Sequence, residues 1–271
     1  MDSTTKTRVK TAVVASGVVF PILIWGGTKW IFLLVEVLLL LGFWELAAMM
    51  EPAKEKRLRL FLWNSILGVS AFLLMPFNHG ALICLISCIA YLGSIEAFHA
   101  HRTGDHTHLK ISDPGLSLCW LWLTLGMVGL FTIRLASQGY EWLWFLLFTV
   151  WLTDCGAYFC GRAWGKKKMA PTISPGKTWI GTFGGVATAT LGGTTIGHLI
   201  GLPVSLPVLI SLSLLLSVLA VIGDLFESLI KRAFGVKDSG TLLPGHGGIL
   251  DRLDSILYAS PVLACILTFM N

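Results

Sequence analysis

The chain has 271 residues, of which 55% are hydrophobic and only 13% charged, and its mean hydropathy is +0.76. A water-soluble fold of that length cannot hide so much apolar surface, so lipid must solvate it. The formal net charge of +5 is what basic cytoplasmic loops alone produce in a membrane protein, and it calls for no nucleic-acid partner.

About 20 largely apolar residues are needed to cross a hydrocarbon core of ~30 Å. On that ruler the chain reads as an all-α polytopic membrane protein with about nine transmembrane helices. They fall near residues 11–28, 30–50, 60–77, 80–98, 115–133, 141–161, 179–200, 203–223 and 255–270. Lys6, Arg8 and Lys10 before the first span resemble a signal peptide. No small-residue cleavage site follows, so an uncleaved helix is expected. Residues 1–100 are read as N-terminal transmembrane helices, and 101–271 as a transmembrane catalytic region with polar stretches at 154–181 and 223–255. The six cysteines form no CxxC pair and read as reduced packing residues.

Charge predicts the orientation. With the N-terminus inside, all of the 20 Lys and Arg residues except Lys29 and Arg134 fall on inner segments. Positive residues favour the cytoplasmic side, so the N-terminus is expected in the cytoplasm and the C-terminus outside. Glu36, Glu45 and Glu96 fall in or near spans. Glu45 and Glu96 sit close enough to inner ends to snorkel or pair, whereas Glu36 lies deeper.

The richest polar stretch runs from Gly223 to Ser255. Asp224, Glu227, Ser228 and Lys231 recur at helical spacing and share one face. Asp251, Asp254 and Ser255 do the same at the start of the last span. Between them lies a loop with Lys237, Asp238, Pro244 and His246-Gly247-Gly248. Acidic clusters across a glycine-rich turn, ringed by Lys and Arg, suit Mg2+ bound together with phosphate oxygens. Taken singly, each carboxylate could instead form an interfacial salt bridge.

A second stretch, Asp154 to Gly161, is followed by the basic loop Arg162–Lys168 and by Ser174-Pro175-Gly176-Lys177-Thr178. The Gly-Lys-Thr triplet is not a P-loop, because Pro171 stands where that motif needs glycine. The turn can still bind phosphate through N–H groups and its lysine, or serve simply as a basic inner loop. His99, His101, His106 and His108 read as a solvated loop rather than a metal site.

The stretch from Ser228 to Asp254 resembles the signature of the phosphatidate cytidylyltransferases, the bacterial CDP-diacylglycerol synthases. Ser228, Lys231, Arg232, Lys237, Asp238, Pro244, His246, Gly247, Gly248, Asp251, Arg252 and Asp254 all agree with it. The likeness extends through Gly223-Asp224, Glu227, Ser174–Thr178 and Asp154–Gly161, while the first hundred residues match only in hydrophobic layout. One departure is Ile180, where many relatives carry an acidic or amide residue.

The resemblance implies the reaction CTP + phosphatidate → CDP-diacylglycerol + pyrophosphate at the cytoplasmic face of the inner membrane. It also implies Mg2+, with a second cation as an option, and a homodimer. Asp224 and Asp251 match the principal metal ligands, with Glu227, Asp254 and Asp154 as further candidates. Lys231, Arg232, Lys237, Asp238, His246 and Arg252 are expected in catalysis. Ser174, Lys177, Thr178, Ser228, Gly247 and Gly248 are expected on phosphate. The competing readings are a CTP-dependent lipid-alcohol kinase and, from another class, a transporter with polar residues at mid-membrane.

Overall fold

The computed structural model describes residues 3–50 and 114–270, together with positions 54–55, 57–59, 61–62 and 65–66. The described residues form seven named helices and one small hairpin. The helices are α1 (Ser3–Trp25), α2 (Thr28–Met50), α3 (Pro114–Leu135), α4 (Gly139–Trp164), α5 (Trp179–Leu199), α6 (Leu206–Ala233) and α7 (Leu250–Met270). Between α4 and α5 lie β1 (Lys168–Ala170) and β2 (Ser174–Thr178). Among the described residues four helices, α2, α4, α6 and α7, are long and apolar enough to cross a membrane. The spans expected near 60–77 and 80–98 and the His99–His108 loop fall largely or wholly outside the described residues, as does Glu96.

Helix α7 is enclosed by its neighbours. Eleven of its residues are buried, from Leu250 through Leu257 and Tyr258 to Leu267. It packs on α3 where Gly126 and Gly129 bring the two backbones together, and the Ser260 hydroxyl donates to the Gly126 carbonyl at 2.7 Å. Without a hydrophobic drive between helices in lipid, such close van der Waals contact and interhelical hydrogen bonds must hold the bundle. The α4–α5 seam follows the same rule: Gly181, Gly185, Ala189, Gly193 and Gly197 form the buried stripe of α5. A side chain at Gly185 would meet the Thr153 carbonyl at 2.5 Å. Elsewhere α6 leaves Leu206, Ile210, Leu214, Val218 and Ile222 exposed, an apolar face suited to lipid.

Two expectations need correction. The chain is mostly helical rather than all-α, because β1 and β2 pair antiparallel, with Lys168 opposite Thr178 and Ala170 opposite Ser174. Helix α6 carries on past the apolar span at Gly223 to Ala233, in keeping with the helical spacing of Asp224, Glu227, Ser228 and Lys231. That glycine does not end the helix: it makes room for α7, since a side chain there would lie 2.6 Å from Tyr258 Cβ. Cys265, expected to be reduced, is disulfide-bonded, whereas Cys155 and Cys160 are free thiols.

Contacts sort the chain into two ends. Thr11 donates to the Pro244 carbonyl at 2.9 Å, and Glu45 bonds Ile249 and Leu250, so these segments share one end with the 237–250 loop. At the opposite end the Tyr140 hydroxyl donates to the Gly26 carbonyl, and the Arg134 guanidinium lies 4.2 Å from the Tyr140 ring centre.

Candidate active site

The nominated residues gather at the end where α4 and α6 finish and α7 begins, in three adjoining parts. The first is a cleft of about 620 Å³ between α4, the hairpin and α6, lined among others by Asp154, Arg162, Lys177, Thr178 and Asp224. The hairpin delivers Lys177, and its path is set locally. Thr178 has extended backbone, and its side chain accepts the Gly181 N–H at 3.1 Å, capping α5. The Trp179 N–H donates to the Lys167 carbonyl at 3.1 Å, and Arg232 Nε donates to the Ile173 carbonyl at 3.2 Å, pinning the hairpin to α6. Lys177 Nζ then lies 2.8 Å from Asp224 Oδ2. Ser228, one turn on, approaches Asp224 Oδ1 at 3.5 Å. Asp154 and Asp224 line this cleft together with Lys177, and Asp254 at the start of α7 lies near both aspartates.

The second part is a buried ionic hub. Lys231 Nζ lies 2.6 Å from Asp251 Oδ1 and also pairs with Glu227 Oε2, one helical turn before it. Glu227 is almost wholly buried, and its Oε1 has no hydrogen-bond partner among the described residues. The other oxygen of Asp251 accepts from the Ser239 N–H and hydroxyl, each at 3.0 Å, and from the Gly248 N–H at 2.8 Å. The last bond ties the start of α7 back to the turn that precedes it. Glu45 completes the cap from α2. Its carboxylate accepts the Ile249 N–H at 2.9 Å and the Leu250 N–H at 3.0 Å, and the Ser239 hydroxyl, whose single proton it shares with Asp251, lies 3.0 Å from its Oε2.

The third part is a recess of about 610 Å³ in the 237–247 loop, lined by Lys237, Asp238, His246, Gly247 and Arg252 among others. Lys237 and Asp238 are exposed. Arg252 Nη2 donates to the His246 carbonyl at 2.9 Å, while His246 Nδ1 is buried without a hydrogen-bond partner among the described residues. Gly247 sits at φ +85°, which side-chain-bearing residues rarely adopt. A methyl group at Gly248 would overlap Ser239 Oγ and the Glu45 carboxylate.

The five carboxylates nominated for metal therefore divide. Asp154 and Asp224 line the cleft with Asp254 near them, whereas Glu227 and Asp251 are tied to Lys231. No three His, Cys, Asp or Glu side chains form a ready-made metal cage among the described residues. Arg232 gives donors to the Ile173 and Val236 carbonyls, and Ser174 lies half-buried at the start of β2. Sequence reasoning missed Ser239 and the role of Glu45. The signal for Glu45 was present, an acidic residue near the inner end of an apolar helix.

Chemically, the site offers hard carboxylate oxygens beside lysine and arginine at one end of the bundle, an arrangement suited to phosphate groups and a divalent cation. Comparison with known proteins points the same way. Residues 6–270 match the model of the Cytidylyltransferase family. A phosphatidate cytidylyltransferase of Staphylococcus epidermidis is 32% identical over 268 residues, covering 97% of this chain and 98% of the relative. One from Haemophilus influenzae is also 32% identical, over 98% of this chain and 99% of the relative. One from Brucella suis reaches 46% identity over 125 residues, 46% of each chain.

Proposed function

The chain belongs to the cytidylyltransferase family, and we infer from that membership that it transfers the cytidylyl group of CTP to phosphatidate, releasing CDP-diacylglycerol and pyrophosphate. The observation that carries this reading into the geometry is the Lys177–Asp224 pair in a cleft shared with Asp154 and Arg162. A phosphate oxygen of phosphatidate attacks the α-phosphorus of CTP, and the bond from that phosphorus to the bridging oxygen of pyrophosphate breaks. The nucleophile needs no general base, because a phosphate monoester with a second pKa of about 6 is already mostly ionised near neutral pH. The remaining task is to bring two polyanions together and to stabilise the leaving group.

In this reading Lys177 neutralises phosphate charge at the cleft, while Lys237, Arg252 and His246 serve the adjoining recess. Carboxylate oxygens of Asp154, Asp224 and Asp254 are the hard donors that Mg2+ takes, and they fit that ion together with phosphate oxygens. Asp251 can contribute Oδ1 only where Lys231 releases it. When bound, Mg2+ would offset the phosphate charge that builds up during transfer. A polytopic location in the inner membrane, with the charged end facing the cytoplasm, is supported by the distribution of Lys and Arg. It would give the site access to CTP from the cytosol and to lipid from the leaflet. A homodimer belongs to the same reading through the family likeness. The experiment is direct: purified protein in detergent or lipid, given CTP, Mg2+ and phosphatidate, should form CDP-diacylglycerol and pyrophosphate in equal amounts.

A further inference from the structure

Glu45 belongs to α2, outside the stretch that carries the family pattern, yet it closes the network around Asp251. The residue is 2% exposed, and its carboxylate accepts the Ile249 and Leu250 N–H groups while the Ser239 hydroxyl sits between it and Asp251. The first N–H groups of a helix have no partners within it, and the helix dipole favours an anion there. Gly240 and Gly248 both lie against this carboxylate with no room for a side chain. The Ser239 hydroxyl is 3.0 Å from Glu45 Oε2 and 3.0 Å from Asp251 Oδ2, and Asp251 Oδ1 is 2.6 Å from Lys231. A continuous line of polar contacts thus runs from α2 through the loop to α7 and α6.

We propose that Glu45 is a positioning residue for cytidylyl transfer, holding the 239–251 segment so that Asp251 and Lys231 keep their places. The inference rests on the function proposed above. Glu45 touches no substrate: it acts through Ser239 and the entry of α7. A glutamine at this position keeps the size but supplies one acceptor oxygen where the carboxylate supplies two. Its NH2 group then faces backbone N–H groups, donor against donor.

The test combines turnover with hydrogen exchange on purified Glu45→Gln, Ser239→Ala and the double variant. Loss of an outer partner of a reactive group typically costs about 10–100-fold, and Glu45→Gln should lower kcat within that range. Amide exchange in peptides covering 239–252 should accelerate, while peptides from residues 119–133 of α3 stay unchanged. Because both residues act on one line, the double variant should be no slower than the slower single variant. Losses that multiply, a kcat within twofold of wild type, or unchanged exchange in 239–252 would each overturn the proposal. If Glu45→Gln does not fold, Ser239→Ala decides alone: unaltered kcat and exchange overturn the proposal, and a fall in kcat with faster loop exchange supports it. A wild-type protein that makes no CDP-diacylglycerol would instead refute the functional reading, and the exchange measurement would then judge Glu45's hold on the loop by itself.

Discussion

Lys177 on β2 and Asp224 on α6 meet at 2.8 Å, joining the basic hairpin to the acidic end of a membrane helix. The same ammonium approaches the Val221 carbonyl at 3.4 Å. It is therefore aimed along the cleft wall rather than into open solvent, and an incoming phosphate would meet a cation already placed.

Removing that cation should slow the reaction more than it harms the fold. Lys177→Met is expected to lower kcat about 100-fold, the usual scale for losing one well-placed charge contact in a protected site. The melting midpoint in detergent should move by only a few degrees, because the pair is partly exposed and surface ion pairs add little stability. Steady-state kinetics and a melting curve on one preparation check both. A variant with normal kcat would remove Lys177 from the site.

Lys231 should behave differently. Its partners Glu227 and Asp251 are buried, so Lys231→Met leaves two carboxylates without their shared cation. Breaking a buried pair in this way costs about 3–5 kcal/mol. Poor folding of Lys231→Met is the expected result. Folding should recover in Lys231→Met/Glu227→Gln, which removes one of the stranded charges, while activity stays lost. Recovery of both would show that Lys231 serves the fold alone.

Gly248→Ala tests the tight turn. Its added methyl would collide with Ser239 and Glu45, and overpacking of this kind costs about 1–3 kcal/mol. Turnover should fall together with the protection of the Ile249 and Leu250 amides from exchange. Wild-type turnover with unchanged protection would mean that the loop has slack the present geometry does not suggest.

Orientation can be read by labelling. Lys167→Cys should add labelling by an impermeant maleimide in inverted membrane vesicles, and Lys29→Cys should add it in right-side-out vesicles, each relative to the parent. The reverse pattern would overturn both the topology and the cytosolic site.

Much of this was legible in the chain itself, for a physical reason. Asp154, Lys177, Asp224 and Lys231 stood out because charge beside apolar spans is costly, and helical spacing put Asp224, Glu227, Ser228 and Lys231 on one face. What stayed hidden depends on long-range contact. Glu45 meets Ile249 across 204 residues, and no local periodicity announces that pairing. The hairpin was missed because its strands are three and five residues long and rich in Lys, Gly and Pro. The close packing of Gly223 against Tyr258 stayed hidden for the same reason as the Glu45 contact, since the two lie on different helices.

The central claim is that phosphatidate attacks the α-phosphorus of CTP, and isotope position tests it most directly. Purified protein with Mg2+ and phosphatidate is given CTP labelled on either the α- or the γ-phosphate, and lipid is separated from water-soluble products. The account predicts α-label in the lipid and γ-label released as pyrophosphate. A CTP-dependent kinase would send the γ-label into lipid and leave the α-label in CDP. It would also need a base to ionise a lipid alcohol, a need that phosphatidate does not impose. Label from the γ-position in lipid, with none from the α-position, would contradict the function stated here.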